Sequence, residues 1–265
     1  MMGSSKEEDS VNSNNGIKVP FQKSRRQFVW EIFFIVMFQI SFVWEISAVV
    51  LLIPKLKQWM IESRWFPWLS GCLGTIIQLQ ILLRPQVQFV YPFNYIILTT
   101  STIIISFVAA LPLINMETWM MPVTWMITMV ITVIAMTSSA FQRFDMLKSL
   151  RKLVFTTFLV QIFYCVIFFP FIHFQQIDIL IILSGFGMVS TIIWEMACVV
   201  QAVLGDRSFT FQDNQYILCA SIITMLIIWL QLIVSTAAAI ILVLINSMDN
   251  VKSVAPSVTS IHTHL

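Results

Sequence analysis

Apolar residues run along the 265-residue chain in long uninterrupted stretches separated by short polar breaks, with no strict alternation of the two classes. A helix needs about 20 mainly apolar residues to cross about 30 Å of hydrocarbon. Applied as a window, that length picks out seven stretches, at 28–53, 66–84, 90–115, 119–142, 152–173, 177–204 and 216–246. The third and fourth are separated only by 115–118, enough for a tight helical hairpin, and the last is long enough to be tilted or broken near Ser235. The many β-branched residues would favour strands in water. In lipid every backbone polar group must pair internally, and unalternating apolar runs of this length suit helices, not barrel strands. The predicted fold is therefore an all-α integral membrane protein, a bundle of seven transmembrane helices over 28–247. Polar segments at 1–27 and 248–265, rich in Ser, Asn, Thr and Val, flank it and are expected to be disordered.

Composition supports the bilayer assignment. Hydrophobic residues make up 58% of the chain and charged residues 11%, against about 25% charged in a soluble domain. The 15 basic and 13 acidic residues leave a net charge of +2, too small and too dispersed for a nucleic-acid footprint. Expected partners are the lipid bilayer and other membrane proteins, with no nucleic acid. Cys72, Cys165, Cys198 and Cys219 all sit in apolar runs without a CxxC pair, so neither a disulfide framework nor a zinc site is expected. The polar start of the chain does not read as a cleavable signal, which leaves insertion to the first span. No N-x-S/T acceptor is present, and orientation must come from charge. With the N-terminus cytosolic, 11 of the 15 Lys and Arg fall on the cytosolic side and four (Lys55, Lys57, Arg64 and Lys252) on the other. That split favours seven spans with the C-terminus outside. Six spans, with the last run folded back as a re-entrant hairpin, is the alternative.

Small residues at Gly71 and Gly74, 138–140, Ser184 with Gly185 and Gly187, and 237–239 mark expected packing faces. Trp30, Trp65, Trp68, Trp119 and Trp125 lie near predicted span ends, where an interfacial belt is the default expectation. No phosphate-binding loop, dinucleotide fingerprint, GxSxG elbow or HExxH occurs. His173, His262 and His264 fall in a short loop and the C-terminal tail. Neither an enzyme activity nor a cofactor or metal site is expected.

Acids inside the membrane stand out, because a charge at the bilayer centre costs about 2.5–3.5 kcal/mol even on insertion scales. Glu31 is close enough to the first span's start to reach the headgroups. Glu45 lies deeper, as an ion-path candidate, a partner of a polar side chain or a residue of the helix end. Glu195 is the sharpest case, about 7 Å from the centre of the sixth span, and Arg84 at the end of the second span is its nearest candidate cation. Glu195 is expected either to tie helices together as a protonated hydrogen-bonding group or to line an ion or proton path.

The order of these features resembles the transmembrane Bax inhibitor motif family, and within it the lifeguard-like branch. The resemblance rests on Arg25-Arg26-Gln27-Phe28 before the first span, Pro67-Trp68 at the second and Pro92-Phe93-Asn94 at the third. Ala140-Phe141-Gln142-Arg143-Phe144-Asp145 ends the fourth span like the family's F-Q-[TS]-[KR]-x-D, and Gln215-Tyr216-Ile217 resembles the [DE]-Y-I that opens its last helix. It covers about residues 25–235. The resemblance implies a seven-helix fold of the Bax inhibitor type in the endoplasmic reticulum or Golgi rather than the plasma membrane. It also implies modulation of calcium leak from intracellular stores and of apoptosis, with calcium as permeant ion. In the family two aspartates, one in each of the last two helices, share a proton and latch the leak. Here Glu195 takes the first position, followed by Met196 and Ala197, and Leu226 takes the second, so the acid pair is absent. A non-conducting paralogue working through helix–helix contacts is therefore the rival class. An unrelated small transporter predicts internal repeats, and none is visible.

Overall fold

The computed structural model describes residues 25–63, 65–83, 90–114, 116–141, 159, 179–204 and 215–259. Among them the regular structure is helical throughout: α1 (Arg25–Leu52), α2 (Pro54–Glu62), α3 (Trp65–Leu83), α4 (Phe93–Ala110, with a 3-10 turn at Leu111–Leu113), α5 (Met120–Phe141), α6 (Ile179–Leu204) and α7 (Tyr216–Thr259). Five of these stretches are long and apolar enough to cross a membrane: Arg25–Leu52, Phe93–Leu113, Met120–Phe141, Gly187–Leu204 and Tyr216–Val243. They coincide with the first, third, fourth, sixth and seventh expected spans, and α3 coincides with the second. The fifth, at 152–173, lies outside the described residues except for Leu159, as do residues 1–24 of the polar N-terminal segment and Arg64.

Prolines set several boundaries. Ile53 precedes Pro54 and is held extended (φ −96°, ψ 104°), as steric conflict with a following proline requires. That ends α1 and lets Pro54 open α2 at a position where a missing N–H costs nothing. The short amphipathic α2 was not foreseen in the loop after the first span. It buries Met60 and packs Trp59 edge-on against Phe66 of α3 (ring centroids 4.8 Å apart), and Phe66 in turn packs on Phe107 of α4 at 5.3 Å.

Polarity is inverted relative to a water-soluble protein. Phe33, Phe34, Phe38, Met126, Val133 and Ile134 face outward, while Gln39, Ser47, Thr102, Thr124, Thr128, Glu195, Thr224 and Gln231 are buried. Exposed apolar area on this scale is what lipid solvates and water does not. The chain is a multi-pass membrane protein, all-helical among the described residues.

α7 is the axis of the bundle: 83% of its apolar stretch is buried, against 33% for α5. α1, α4, α5 and α6 all pack on it. Cross-helix contacts fix the directions. Gln39 bonds both Thr102 and Thr224, and the Tyr95 and Tyr216 hydroxyls lie 3.4 Å apart, so α1, α4 and α7 run the same way. Arg25 links the last turn of α6 at Ala202 to the start of α7, where its charge reaches Cys219, and Gln201 near the end of α6 meets the Ser139 carbonyl near the end of α5, whereas Gln231, farther along α7, meets Thr124 and Thr128 near the start of α5. α5 and α6 therefore run parallel to each other and antiparallel to α7. α3 runs antiparallel to α4, because Gly71 faces Val108 and Gly74 faces Ile105.

Several expectations are corrected. α7 is unbroken at Ser235 and runs as one helix to Thr259, without the hairpin alternative. Trp125 is buried and not part of an interfacial belt, whereas Trp30, Trp65 and Trp119 are exposed. Gly71 and Gly74 do pack tightly, but a side chain at Gly185 or Gly187 would meet nothing within 4 Å.

Candidate functional site

Polar side chains line the interior along α7 in three layers. The layer farthest from its start is centred on Gln231. Its Oε1 accepts from the Thr128 hydroxyl at 2.6 Å, and its Nε2 donates to Thr124 Oγ1 at 3.1 Å and Ser235 Oγ at 2.9 Å. The middle layer is centred on Gln39 of α1, which donates to Thr102 Oγ1 and accepts from Thr224 Oγ1, both at 2.8 Å. Each glutamine thus has both ends of its amide engaged, which is how a buried amide avoids a desolvation penalty. In hydrocarbon such bonds act as interhelical glue worth about 0.6 kcal/mol each on average.

The third layer closes the end at which α1, α4 and α7 begin and α5 and α6 finish. Arg25 donates from Nη2 to the Ala202 carbonyl at 2.8 Å, and its guanidinium lies 4.6 Å from the centre of the Phe28 ring. Ala202 belongs to the last turn of α6, whose carbonyls have no intrahelical donor. A cation there satisfies an orphan acceptor and meets the negative end of the helix dipole. Gln201 donates to the Ser139 carbonyl at 3.5 Å in the same layer.

Glu195 stands between these layers. It is 1% exposed, and Leu226 is also 1% exposed. Stepping six residues back from Gln201 on α6 and from Ser139 on α5 brings Glu195 level with Val133. Stepping from the Thr128–Gln231 pair along the antiparallel α5 and α7 brings Leu226 level with the same residue. Both lie about 14–15 Å inside the bundle, nine residues from the end of α6 and ten from the start of α7. Leu226 thus occupies the depth at which a second acid would face Glu195.

The other sequence-derived candidates do not converge on this point. Glu45 is exposed on the outer side of α1, beside the exposed Trp44, because the buried face of that helix is set by Val43, Ser47 and Val50. Tyr216 lies in the end layer, facing Tyr95. Arg84, Gln142, Arg143 and Asp145 lie outside the described residues. Among those described, the cation brought to α6 is Arg25, which charge counting had read only as a topology signal. Sequence reasoning also missed Gln39, Gln231 and the threonines, although Thr124, Thr128, Thr132 and Ser139 recur at helical spacing on the buried face of α5. Among the described residues no group of three or more His, Cys, Asp or Glu could hold a metal ion. No protein-family model, no curated protein and no solved structure matches the chain.

Proposed function

We propose that this protein is a divergent seven-helix membrane protein of the Bax inhibitor and lifeguard type, modulating calcium leak from intracellular stores and, through it, apoptosis. The observation that carries the reading is Glu195: a carboxyl group 1% exposed on α6, a helix that packs on the central helix, and ionisable groups inside membranes serve ion or proton movement by default. The seven-helix count draws support from helix direction. α5 and α6 run parallel, and the apolar run 152–173 that separates them in the sequence has the length of one crossing.

The second reading is a non-conducting paralogue that works through helix–helix contacts in the endoplasmic reticulum or Golgi. Leu226 favours it, because one acid beside a leucine cannot share a proton between two carboxylates. Purified protein in liposomes loaded with a calcium dye separates the two. A leak that changes with pH in the wild type and loses that response in Glu195→Gln supports the first reading. Silence of both supports the second, and Leu226→Asp then tests whether a restored acid pair revives a pH-dependent leak. A robust leak untouched by Glu195→Gln refutes the role of Glu195.

A further inference from the structure

The outward side of α1 carries a stripe that lipid alone does not satisfy. Phe34, Phe38, Ser41, Glu45, Ala48 and Leu52 recur at alternating steps of four and three residues, the spacing of a helix–helix packing seam, and all are exposed except the partly buried Ala48. Ser41 and Glu45 are one turn apart on this face, and neither has a hydrogen-bonding or ionic partner among the described residues. Leu52 ends α1 seven residues, about 10 Å, after Glu45. A crossing of about 20 residues that ends with α1 puts Glu45 about 4 Å from the midplane. Helical side chains lean towards the helix N-terminus, so this carboxyl leans to the middle of the membrane and away from the nearer headgroups. A carboxylate without a partner in hydrocarbon is costly.

We propose that this stripe docks a membrane-spanning helix of another protein, one that carries a lysine or arginine near the middle of its span, and that Glu45, with Ser41 beside it, binds that cation. Charge complementarity selects the occupant. The 15 Lys and Arg of this chain all lie at or beyond the ends of its apolar stretches, so a second copy, inserted in the same orientation, brings no cation to this depth. Symmetric packing of two copies along the stripe would instead set Glu45 against Glu45, and like charges at close range repel. A lysine or arginine inside a partner's span is itself costly until it is paired, so one contact relieves both helices, while Phe34, Phe38 and Leu52 supply apolar packing around it. The site deepens the reading of the protein as one that works through helix–helix contacts, and rests on that reading for the kind of partner.

Energy transfer in phosphatidylcholine liposomes tests the site, with the labelled full-length protein as donor and labelled single-span polyleucine peptides as acceptors. The peptides carry a lysine at mid-span, a lysine at the end of the span, a glutamate at mid-span, or no charge. The mid-span lysine peptide should associate about tenfold more tightly than the uncharged one, the size of one polar contact between model membrane helices. Glu45→Gln should lose most of that preference, Ser41→Ala should lose less, and Glu45→Lys should switch it to the glutamate peptide. Equal association of all the peptides, or a lysine preference undiminished in Glu45→Gln, overturns the proposal. If the Glu45 variants do not fold, the wild-type preference for mid-span over end-placed lysine decides alone, and its absence overturns the proposal equally. Energy transfer between two differently labelled copies that is lost in Glu45→Gln makes a second copy the occupant, and also overturns it. A calcium dye inside the same liposomes separates the site from the reading. Lysine preference beside a Glu195-dependent leak counts for the site and against a non-conducting protein, whereas silence without lysine preference counts against the site alone.

Discussion

Gly74 offers a quantitative test of how the helices pack. A Cβ at this position would lie 2.4 Å from Ile105 Cγ1 and 3.0 Å from its Cδ1, whereas one at Gly71, a turn earlier on the same helix, would lie 3.4 Å from Val108 Cγ2. The first distance requires the neighbour to move; the second is near ordinary contact. Replacing a helical glycine by alanine gains about 0.8–1 kcal/mol of propensity, and overpacking a tight core costs about 1–3 kcal/mol. Gly74→Ala should therefore destabilise by up to about 2 kcal/mol, and Gly71→Ala should be neutral or stabilising by up to about 1 kcal/mol. Ile105→Ala alone should cost about 2–5 kcal/mol as a cavity. The Gly74→Ala and Ile105→Ala pair should cost less than the sum of the singles by about 0.5–3 kcal/mol, because the new methyl enters the space that the isoleucine leaves. Reversible unfolding in detergent micelles, followed by helical circular dichroism, measures all four variants. Equal stability of Gly71→Ala and Gly74→Ala, or strict additivity of the pair, would refute the close approach of α3 to α4.

Three further outcomes are expected. Gln231→Leu removes three side-chain hydrogen bonds and Gln39→Leu removes two, so at about 0.6 kcal/mol each the first should cost about 2 and the second about 1 kcal/mol in the same unfolding assay; the reverse order would contradict the layered interior. Arg25→Ala should loosen the end layer by about 1–2 kcal/mol through loss of the Ala202 contact and the Phe28 ring contact, and Arg25→Lys should recover only part of it, because an ammonium lacks the planar fork; full recovery would show that charge alone matters. Reporters fused to the two termini should find the N-terminus cytosolic and the C-terminus protected from cytosolic protease, as the charge split requires; both termini cytosolic would remove the seven-span topology.

Helix positions were legible because the bilayer imposes a length and forbids unpaired backbone. α1 and α3 begin and end within three residues of the spans expected at 28–53 and 66–84, and α7 starts at the expected Tyr216. What the apolar runs could not reveal is which side of each helix faces inward, since lipid and protein interior are nearly equal in apolarity. Trp125 illustrates the loss: near a span end it reads as an interfacial anchor, yet it lies on the same buried face of α5 as Thr124 and Thr128. α2 was invisible for a different reason. Lys55, Lys57, Gln58 and Glu62 make its stretch read as a loop, and only contacts with α1 and α3 give the nine residues a reason to coil.

The site follows the same logic. Glu195 was readable because an acid in hydrocarbon demands an explanation from sequence alone. The groups that define its surroundings carry no charge, and a threonine or glutamine inside a span costs too little to be noticed one at a time. Their meaning lies in register. Gln39 becomes informative only when Thr102 and Thr224 are found at 2.8 Å on two other helices, and Leu226 only when the contacts of Gln201 and Gln231 set α5, α6 and α7 level with one another. By the same register Leu226 is more than a missing motif letter. It faces the interior at the depth of Glu195 and is as fully buried, so the space of a second acid is filled by hydrocarbon.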